Sequence, residues 1–495
     1  MRDKTYLRWS IALIIIGAFL RFPLAVFHNV SGDACWHVAS ARYMAIHNVI
    51  PTFEGLGRVD PFYSPPVFHL IAALFFKIFS IISNNAADIG IKLVSPVFGT
   101  LTIIVAYLLI KKLFGERIAF YSMIFLNFAP LFIDYSVFSY VDSTNAFFSV
   151  LTVYLLINRR YALSSISFGI NMLTKYNAIF MFPMMLYLGY KLGRNKKEKI
   201  RILLLIIIVP SLISSVWFLR NYAILGNPVW PFMNNVFHGI NVGDSFNQLN
   251  PYVLLSYSTY LTTYLEFFGI PNGNIALLSF STLPYTKQLL FIWLIGTLIF
   301  AYPLFKGIFF TSKKKYGYDY FFIGICILSI SYILMLFPYV MNTGWFGSRQ
   351  LLPIVPFIAI LWSIGVDSIK SKKFYIIAVL VVCAGFVLAE SIRLNIAVKE
   401  WNRYSKDFEW ARENTKETDL FFGNGQCLPY NIKRLVVQHT VPIDFEKVDY
   451  VWANKQWRID FPMIDEAFNK AKNSNKLKVV YDNKETGTII YKVNK

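Results

Sequence analysis

Two carboxylates and two cations set the chemistry this chain can attempt. Asp33 and Asp142 each lie beside a hydrophobic run, at what the charge pattern makes the same outer edge of a membrane, and Lys175 and Arg349 fall at that edge too. A carboxylate held near a hydroxyl can act as a general base, and a cation near an anionic leaving group stabilises the charge that develops there. Together, at one membrane face, they point to a membrane enzyme. Each residue also has a purely structural reading. Asp33, in Ser-Gly-Asp-Ala-Cys-Trp-His, and Asp142, in Val-Asp-Ser, would serve equally as helix caps, because acids favour helix N-termini. Asp33 gains weight from His37, one helical turn on, and from Asp60, a second carboxylate in the same loop. Outer loops carry few cations, so Lys175, Arg349 and a third, Arg220 in Trp-Phe-Leu-Arg-Asn, call for an anionic partner, with lipid phosphate as the ordinary one.

The elements that must position these residues are membrane helices. Of 495 residues, 56% are hydrophobic and 18% aromatic. Apolar runs near the ~20 residues needed to cross a bilayer recur from Trp9 to Glu390. The formal net charge of +20 does not indicate a nucleic-acid partner, since Lys and Arg concentrate in short loops such as Lys-Lys-Leu-Phe-Gly-Glu-Arg and Lys-Ser-Lys-Lys. That is the distribution of cytoplasmic loops and lipid contact. The first span, Trp9 to Phe27, is too long for a cleavable signal and reads as a permanent anchor. Cys326 and Cys383 lie in apolar spans as small hydrophobes. Cys35 and Cys427 both fall outside, but residues so distant in sequence bridge only with suitable geometry, and no disulfide is expected.

With all basic loops on one side, the number of crossings between consecutive loops must be even. Three apolar stretches separate the first two loops, so the middle one, Pro65 to Ser83, is expected to lie at the outer interface. Parity likewise splits Tyr161 to Tyr190 into two crossings with the outer turn at Thr174-Lys175-Tyr176, which spares the lysine a place at the bilayer centre. Pro251 to Ile270 becomes a second surface-lying segment. About eleven spans result, with the amino terminus cytoplasmic and the carboxyl terminus outside. After Arg393 the pattern changes to short strand-like runs (Asp-Leu-Phe-Phe-Gly, Arg-Leu-Val-Val-Gln-His-Thr, Asp-Tyr-Val-Trp-Ala-Asn, Lys-Leu-Lys-Val-Val-Tyr-Asp and Gly-Thr-Ile-Ile-Tyr-Lys-Val) with helical stretches among them. Residues 1–391 are therefore expected to form a transmembrane domain and residues 392–495 a small extracytoplasmic α/β domain.

The order of these features resembles the GT-C glycosyltransferases, in particular protein O-mannosyltransferases and lipid A aminoarabinose transferases. The likeness runs through an acid after the first span (Asp33), Tyr-Ser-Pro-Pro-Val-Phe-His in the first outer loop and a Leu-Phe-Gly turn followed by Arg117. It continues through an acid opening the fourth span (Asp142), Leu-Thr-Lys ending at Lys175, Arg-Asn-Tyr-x5-Asn-Pro-Val from Arg220, and Arg-x-Leu-Leu-Pro-x-x-Pro from Arg349. The resemblance implies a GT-C bundle with interfacial helices in the first outer loop. It implies transfer of a sugar from a polyprenyl-phosphate donor to an acceptor hydroxyl on a protein, lipid or glycan at the extracytoplasmic face of the plasma membrane, with inversion. Asp33 would be the general base, Lys175, Arg349 and Arg220 would bind the donor phosphate, and Asp142 would orient the acceptor or hold a divalent metal. No cofactor is otherwise implied. The chain departs from the pattern at Ser64, where the mannosyltransferases have His and the aminoarabinose enzymes Lys before Pro-Pro, and His69 is the residue that could supply the missing contact.

A polytopic transporter or lipid flippase is the rival reading. It predicts internal repeats and polar residues at the midplane, whereas the chain has no obvious repeat and its singled-out charges cluster at one face. The tail carries no catalytic motif and reads as accessory.

Overall fold

Apolar runs become helices along most of the chain, and only the carboxyl-terminal stretch forms a sheet, in a computed structural model that describes residues 3–27, 30, 32–52, 61–240, 286–313, 319–343, 348–385, 387, 403–423, 427–437, 447–453, 468–470, 472–474 and 476–494. The helices begin with α1 (Asp3–Phe27), α2 (Asp33–His47), α3 (Val67–Ser80) and α4 (Asn84–Phe114). Then come α5 (Glu116–Phe128), α6 (Pro130–Val137), α7 (Asp142–Ile157), α8 (Tyr161–Met172) and α9 (Phe182–Leu192). They are followed by α10 (Lys196–Leu225), α11 (Asn234–Phe237), α12 (Thr286–Lys313), α13 (Asp319–Thr343) and α14 (Val355–Asp367). Short 3₁₀ turns, Tyr176–Met181 and Ser348–Ile354, precede α9 and α14. Asp60 and the expected surface segment from Pro251 to Ile270 lie outside the described residues.

The chain divides into two compact units. One comprises Met1–Val26, Ser64–Phe68 and Leu93–Ser391; the other comprises Phe27–Tyr63, His69–Lys92 and Ile392–Lys495. The tail thus shares its unit with the two amino-terminal segments Phe27–Tyr63 and His69–Lys92. Among the described residues four helices are long and apolar enough to cross a membrane, or five if α5 and α6, bent by 62° at Ala129, count as one span.

Packing in the helical unit follows small residues. In α10, Ile202, Ile206, Pro210, Ser214, Trp217 and Asn221 form a buried stripe at helical spacing, while Leu204, Ile208, Leu212, Val216 and Leu219 on the other side are exposed. An apolar exposed face is what lipid requires. The stripe meets α8 where a Cβ on Gly169 would come within 2.9 Å of Ile213. Helices α12 and α14 cross still closer: a Cβ on Gly307 would lie 1.8 Å from the Leu361 carbonyl oxygen, and one on Gly365 1.8 Å from that of Pro303. Without a hydrophobic drive inside a bilayer, such close backbone approach supplies much of the association energy.

The break between α5 and α6 is held by Arg21, a fully buried cation inside the first apolar run. Its Nε donates to Ser136 Oγ at 2.8 Å, its Nη1 to Gly17 O at 3.0 Å and Asn127 Oδ1 at 3.2 Å, and its Nη2 to Leu126 O at 2.9 Å. Two of these acceptors are on residues ending α5, where carbonyls lose their helical partners and a cation meets the negative end of the dipole. The guanidinium also lies 5.4 Å from the Phe132 ring centre.

In the second unit the tail forms a five-stranded sheet ordered β2-β1-β3-β5-β4, from β1 (Leu420–Phe422), β2 (Leu435–Val437), β3 (Tyr450–Ala453), β4 (Leu477–Asn483) and β5 (Thr488–Val493). Strands β1, β2 and β3 are parallel, β5 runs antiparallel to β3, and β4 and β5 form a hairpin. All five strand-like runs of the sequence are strands. Alternation divides their apolar side chains between two faces: Phe421, Tyr450, Trp452 and Ile490 pack under α15 (Ser405–Asn414) and α16 (Leu428–Ile432), and Phe422, Val451 and Tyr491 pack with Phe468. Buried Asp407 anchors α15 to the hairpin, accepting from Tyr481 Oη at 2.7 Å, Asn483 Nδ2 at 2.6 Å and Thr486 Oγ1 at 2.7 Å. Burial and that carboxylate push the Tyr481 hydroxyl up to about 12.

The expectation of unpaired outer cysteines is corrected here. Cys35 and Cys427 form a disulfide, their Cα atoms 4.8 Å apart across 392 residues of sequence. Nothing in the spacing announces it, because only the folded unit brings α2 and α16 side by side.

Candidate active site

Asp142 opens α7 and is fully buried. It caps nothing: the N-cap is Val141, and no side-chain cap hydrogen bond forms. Its Oδ1 instead accepts from Lys175 Nζ, and its Oδ2 is buried without a hydrogen-bond partner among the described residues. Lys175 occupies the interruption between α8 and the 3₁₀ turn Tyr176–Met181, where parity places a turn. Its extended backbone breaks the helix, so the ammonium leaves the apolar run at a bend rather than from a continuous span. The same turn accepts a bond from the Pro-Pro element, Val67 N donating to Leu173 O at 3.0 Å.

An amide ladder runs beside the ion pair. Asn171 Nδ2 donates to Ser149 Oγ at 3.0 Å, Ser149 Oγ to Asn145 Oδ1 at 3.4 Å and Asn145 Nδ2 to Asn177 Oδ1 at 2.5 Å. Asn177 Nδ2 then donates to Gln350 O and Oε1, each at 3.2 Å. Buried polar groups are costly unless paired, so the ladder fixes α7, α8 and the Ser348–Ile354 turn in one register. Arg349, beside Gln350 in that turn, lays its guanidinium 4.8 Å from the Tyr140 ring centre, two residues before Asp142. The sequence reading passes over Asn145, Asn177 and Gln350. Asn145 lies one helical turn after Asp142 and Asn177 two residues after Lys175, and a polar residue so placed in an apolar run is the signal available.

Arg220 belongs to a neighbouring knot. Its Nη1 donates to Asn221 Oδ1 at 2.8 Å, its guanidinium lies 4.6 Å from the Trp217 ring centre, and both Asn221 Nδ2 (2.8 Å) and Trp217 Nε1 (3.2 Å) donate to the Tyr176 hydroxyl. Lys175 is thereby followed by a residue pinned to the end of α10. Ser64 is buried.

In the second unit Asp33 is the first residue of α2, behind the N-cap Gly32, whose φ of 57° suits glycine. His37, one turn on, meets His69 of α3, Nδ1 to Nε2 at 2.9 Å; one ring donates and the other accepts. Aromatic rings enclose the pair: Trp36 stacks on Tyr63 at 5.8 Å, and Phe62 meets His69 edge-on at 5.0 Å. His69 is thus engaged with His37. Helix α3 buries His69, Phe68 and Ala72 and exposes Leu70, Leu74 and Ile78, the amphipathic pattern of a helix lying in a membrane interface.

A metal at Asp142 does not fit this donor set. One carboxylate oxygen is taken by Lys175, and no three His, Cys, Asp or Glu side chains group around a common point among the described residues.

Comparison with known proteins agrees with this architecture. Residues 63–218 match the profile of the dolichyl-phosphate-mannose-protein mannosyltransferase family. The whole chain is similar in structure to ArnT from Cupriavidus metallidurans, with a TM-score of 0.65 at 12% identity over 98% of each chain. The chain has the GT-C glycosyltransferase fold. ArnT bound to undecaprenyl phosphate superposes with a TM-score of 0.63 at 12% identity, covering 98% of this chain and 97% of that one. The oligosaccharyltransferase AglB from Archaeoglobus fulgidus, in complex with an inhibitory peptide and a dolichol-phosphate, gives 0.54 at 14% identity over 100% of this GT-C chain and 75% of its own. A search of curated proteins by sequence returns no match.

Proposed function

We propose that this chain is an integral membrane glycosyltransferase that moves a sugar from a polyprenyl-phosphate carrier to an acceptor hydroxyl at the extracytoplasmic face, with inversion at the anomeric carbon. The observation that carries this reading is Lys175, an ammonium held at a helix break inside a GT-C bundle, in a fold whose solved examples include complexes with undecaprenyl phosphate and dolichol-phosphate.

The chemistry follows from the charges. The Asp33 carboxylate takes the acceptor's proton as that oxygen attacks the anomeric carbon; the bond from that carbon to the phosphate oxygen breaks, and its electron pair leaves with the lipid phosphate. The leaving group is already anionic, so no strong acid is needed, and Lys175 and Arg349 stabilise the charge it gains. Asp142 serves here by holding the Lys175 ammonium in place, a role its buried ion pair supports, and no step runs through a metal. Arg220 and His37 act as supports, the first beside Tyr176 and the second against His69. The Cys35–Cys427 bond supports the proposed location, since disulfides persist in oxidising compartments such as the periplasm or cell exterior.

Membranes containing the protein, supplied with a mixture of polyprenyl-phosphate sugars, are expected to yield a covalent product heavier than the acceptor by one sugar residue. Asp33→Asn at equal abundance is expected to lower the rate at least 10²-fold, within the range of general-base catalysis. Unchanged transfer by Asp33→Asn removes the base assignment. Substrate flux across sealed vesicles without any covalent product establishes the transporter instead.

A further inference from the structure

The carboxyl-terminal domain has no catalytic motif, yet its shortest helix is bonded to α2 at one end and ion-paired to α4 at the other. Helix α16 is five residues long, Leu428–Ile432, and the residues on either side of it are each bonded to another helix of the unit, Cys427 to α2 and Lys433 to α4. Before it, Cys427 is bonded to Cys35, two residues after Asp33. After it, Lys433 pairs with Asp88 at 2.6 Å, and Asp88 in turn faces Arg42 of α2 at 4.0 Å. Cys35 and Arg42 are seven residues apart, about 10 Å along the helix axis, so the two tethers restrain both position and direction.

The first turn of α2 closes on a backbone bond, Cys35 N donating to Gly32 O at 3.0 Å, without a side-chain cap. The far side of the tether is rigid: Leu428 and Ile432 are buried against Phe421, Val436 and Trp452 of the sheet, and Arg412 of α15 donates to Asn431 O at 2.8 Å.

We propose that the carboxyl-terminal α/β domain is a positioning element, which fixes the first turn of α2, and with it the Asp33 carboxylate, directly through Cys427, and steadies the later part of α2 through Lys433 and Asp88 of α4. This rests on the assignment of Asp33 as base. The domain's contribution is to kcat: misplacing a catalytic group by about 1 Å can cost on the order of 10²-fold.

The test uses full-length protein in detergent or liposomes, with transfer rates measured before and after a membrane-permeant reductant and in Cys427→Ser and Lys433→Met. Reduction is expected to lower kcat at least tenfold with the KM for the lipid-linked sugar unchanged, re-oxidation to restore it, and Cys427→Ser to be slow and insensitive to reductant. Lys433→Met, which keeps the disulfide, is expected to show a smaller loss of the same kind. Full kcat after reduction overturns the proposal. So does a loss of activity that tracks unfolding or aggregation, because the domain would then be a requirement of folding and not of positioning. Asp33→Asn separates the two ideas: if that variant retains transfer the base assignment fails, whatever reduction does.

Discussion

Lys175 Nζ donates to Asp142 Oδ1 across 33 residues of sequence, joining the break after α8 to the first residue of α7. The carboxylate is fully buried and the lysine side chain only 16% exposed, so the buried carboxylate is neutralised by this ammonium.

Removing Lys175 strips its ammonium from the fully buried Asp142 carboxylate, at a cost of about 3–5 kcal/mol. Asp142→Asn and Lys175→Met are each expected to lower the thermal unfolding midpoint in detergent, and the double variant to recover much of that loss while staying inactive. Additive destabilisation in the double variant refutes the pairing.

Arg349→Lys keeps the charge but loses the planar fork that lies over Tyr140, and is expected to reduce kcat by about 10²-fold or more, as for a lost donor at a developing oxyanion. Arg220→Lys, whose guanidinium bonds Asn221, is expected to change kcat far less. Steady-state rates with saturating donor decide between them; equal losses place both cations on the phosphate.

Arg21→Leu removes the donor to Leu126 O, Asn127 Oδ1 and Ser136 Oγ in one change, though the Ser136 hydroxyl still donates to Ile133 O. Several buried acceptors left unsatisfied, at about 1–3 kcal/mol each, put the expected loss above that of an ordinary core substitution. Arg21→Lys is expected to recover only part of it. Thermal unfolding of purified protein reads both, and near-native stability in Arg21→Leu contradicts the clamp.

Gly365→Ala meets a backbone carbonyl that cannot swing aside, and is expected to destabilise by about 1–3 kcal/mol through separation of α12 from α14. Gly385, with nothing within 4 Å of a Cβ, is the control, and Gly385→Ala is expected to be neutral or slightly stabilising. Matching effects at both sites dismiss the crossing as a source of stability.

Much of this was legible in the chain because two kinds of signal are local. Strand alternation in Tyr-Val-Trp-Ala or Thr-Ile-Ile-Tyr-Lys-Val needs no partner to be read, and all five runs are strands. The helix break at Thr174-Lys175 followed from the cost of a lysine in hydrocarbon, and the structure breaks α8 there. What could not be read depends on which surfaces meet. The pairing of Lys175 with Asp142, the Asn145–Asn177–Gln350 ladder and the Cys35–Cys427 bond each join segments whose neighbourhood only packing creates. Arg21 was hidden for another reason. A lone cation near the end of an apolar run looks like an interfacial anchor, and only its five buried acceptors show that it is internal.

The 392 residues between the two bridged cysteines also set an order of events during biosynthesis. At about 5–20 residues per second, position 35 waits roughly 20–80 s after leaving the ribosome before its partner thiol has even been synthesised. Through that interval Cys35 is a nascent-chain thiol open to mixed disulfides, so maturation of this protein hinges on thiol quality control late in translation, and a truncated product ending short of Cys427 keeps a reactive sulfur where the intact chain has a closed bond.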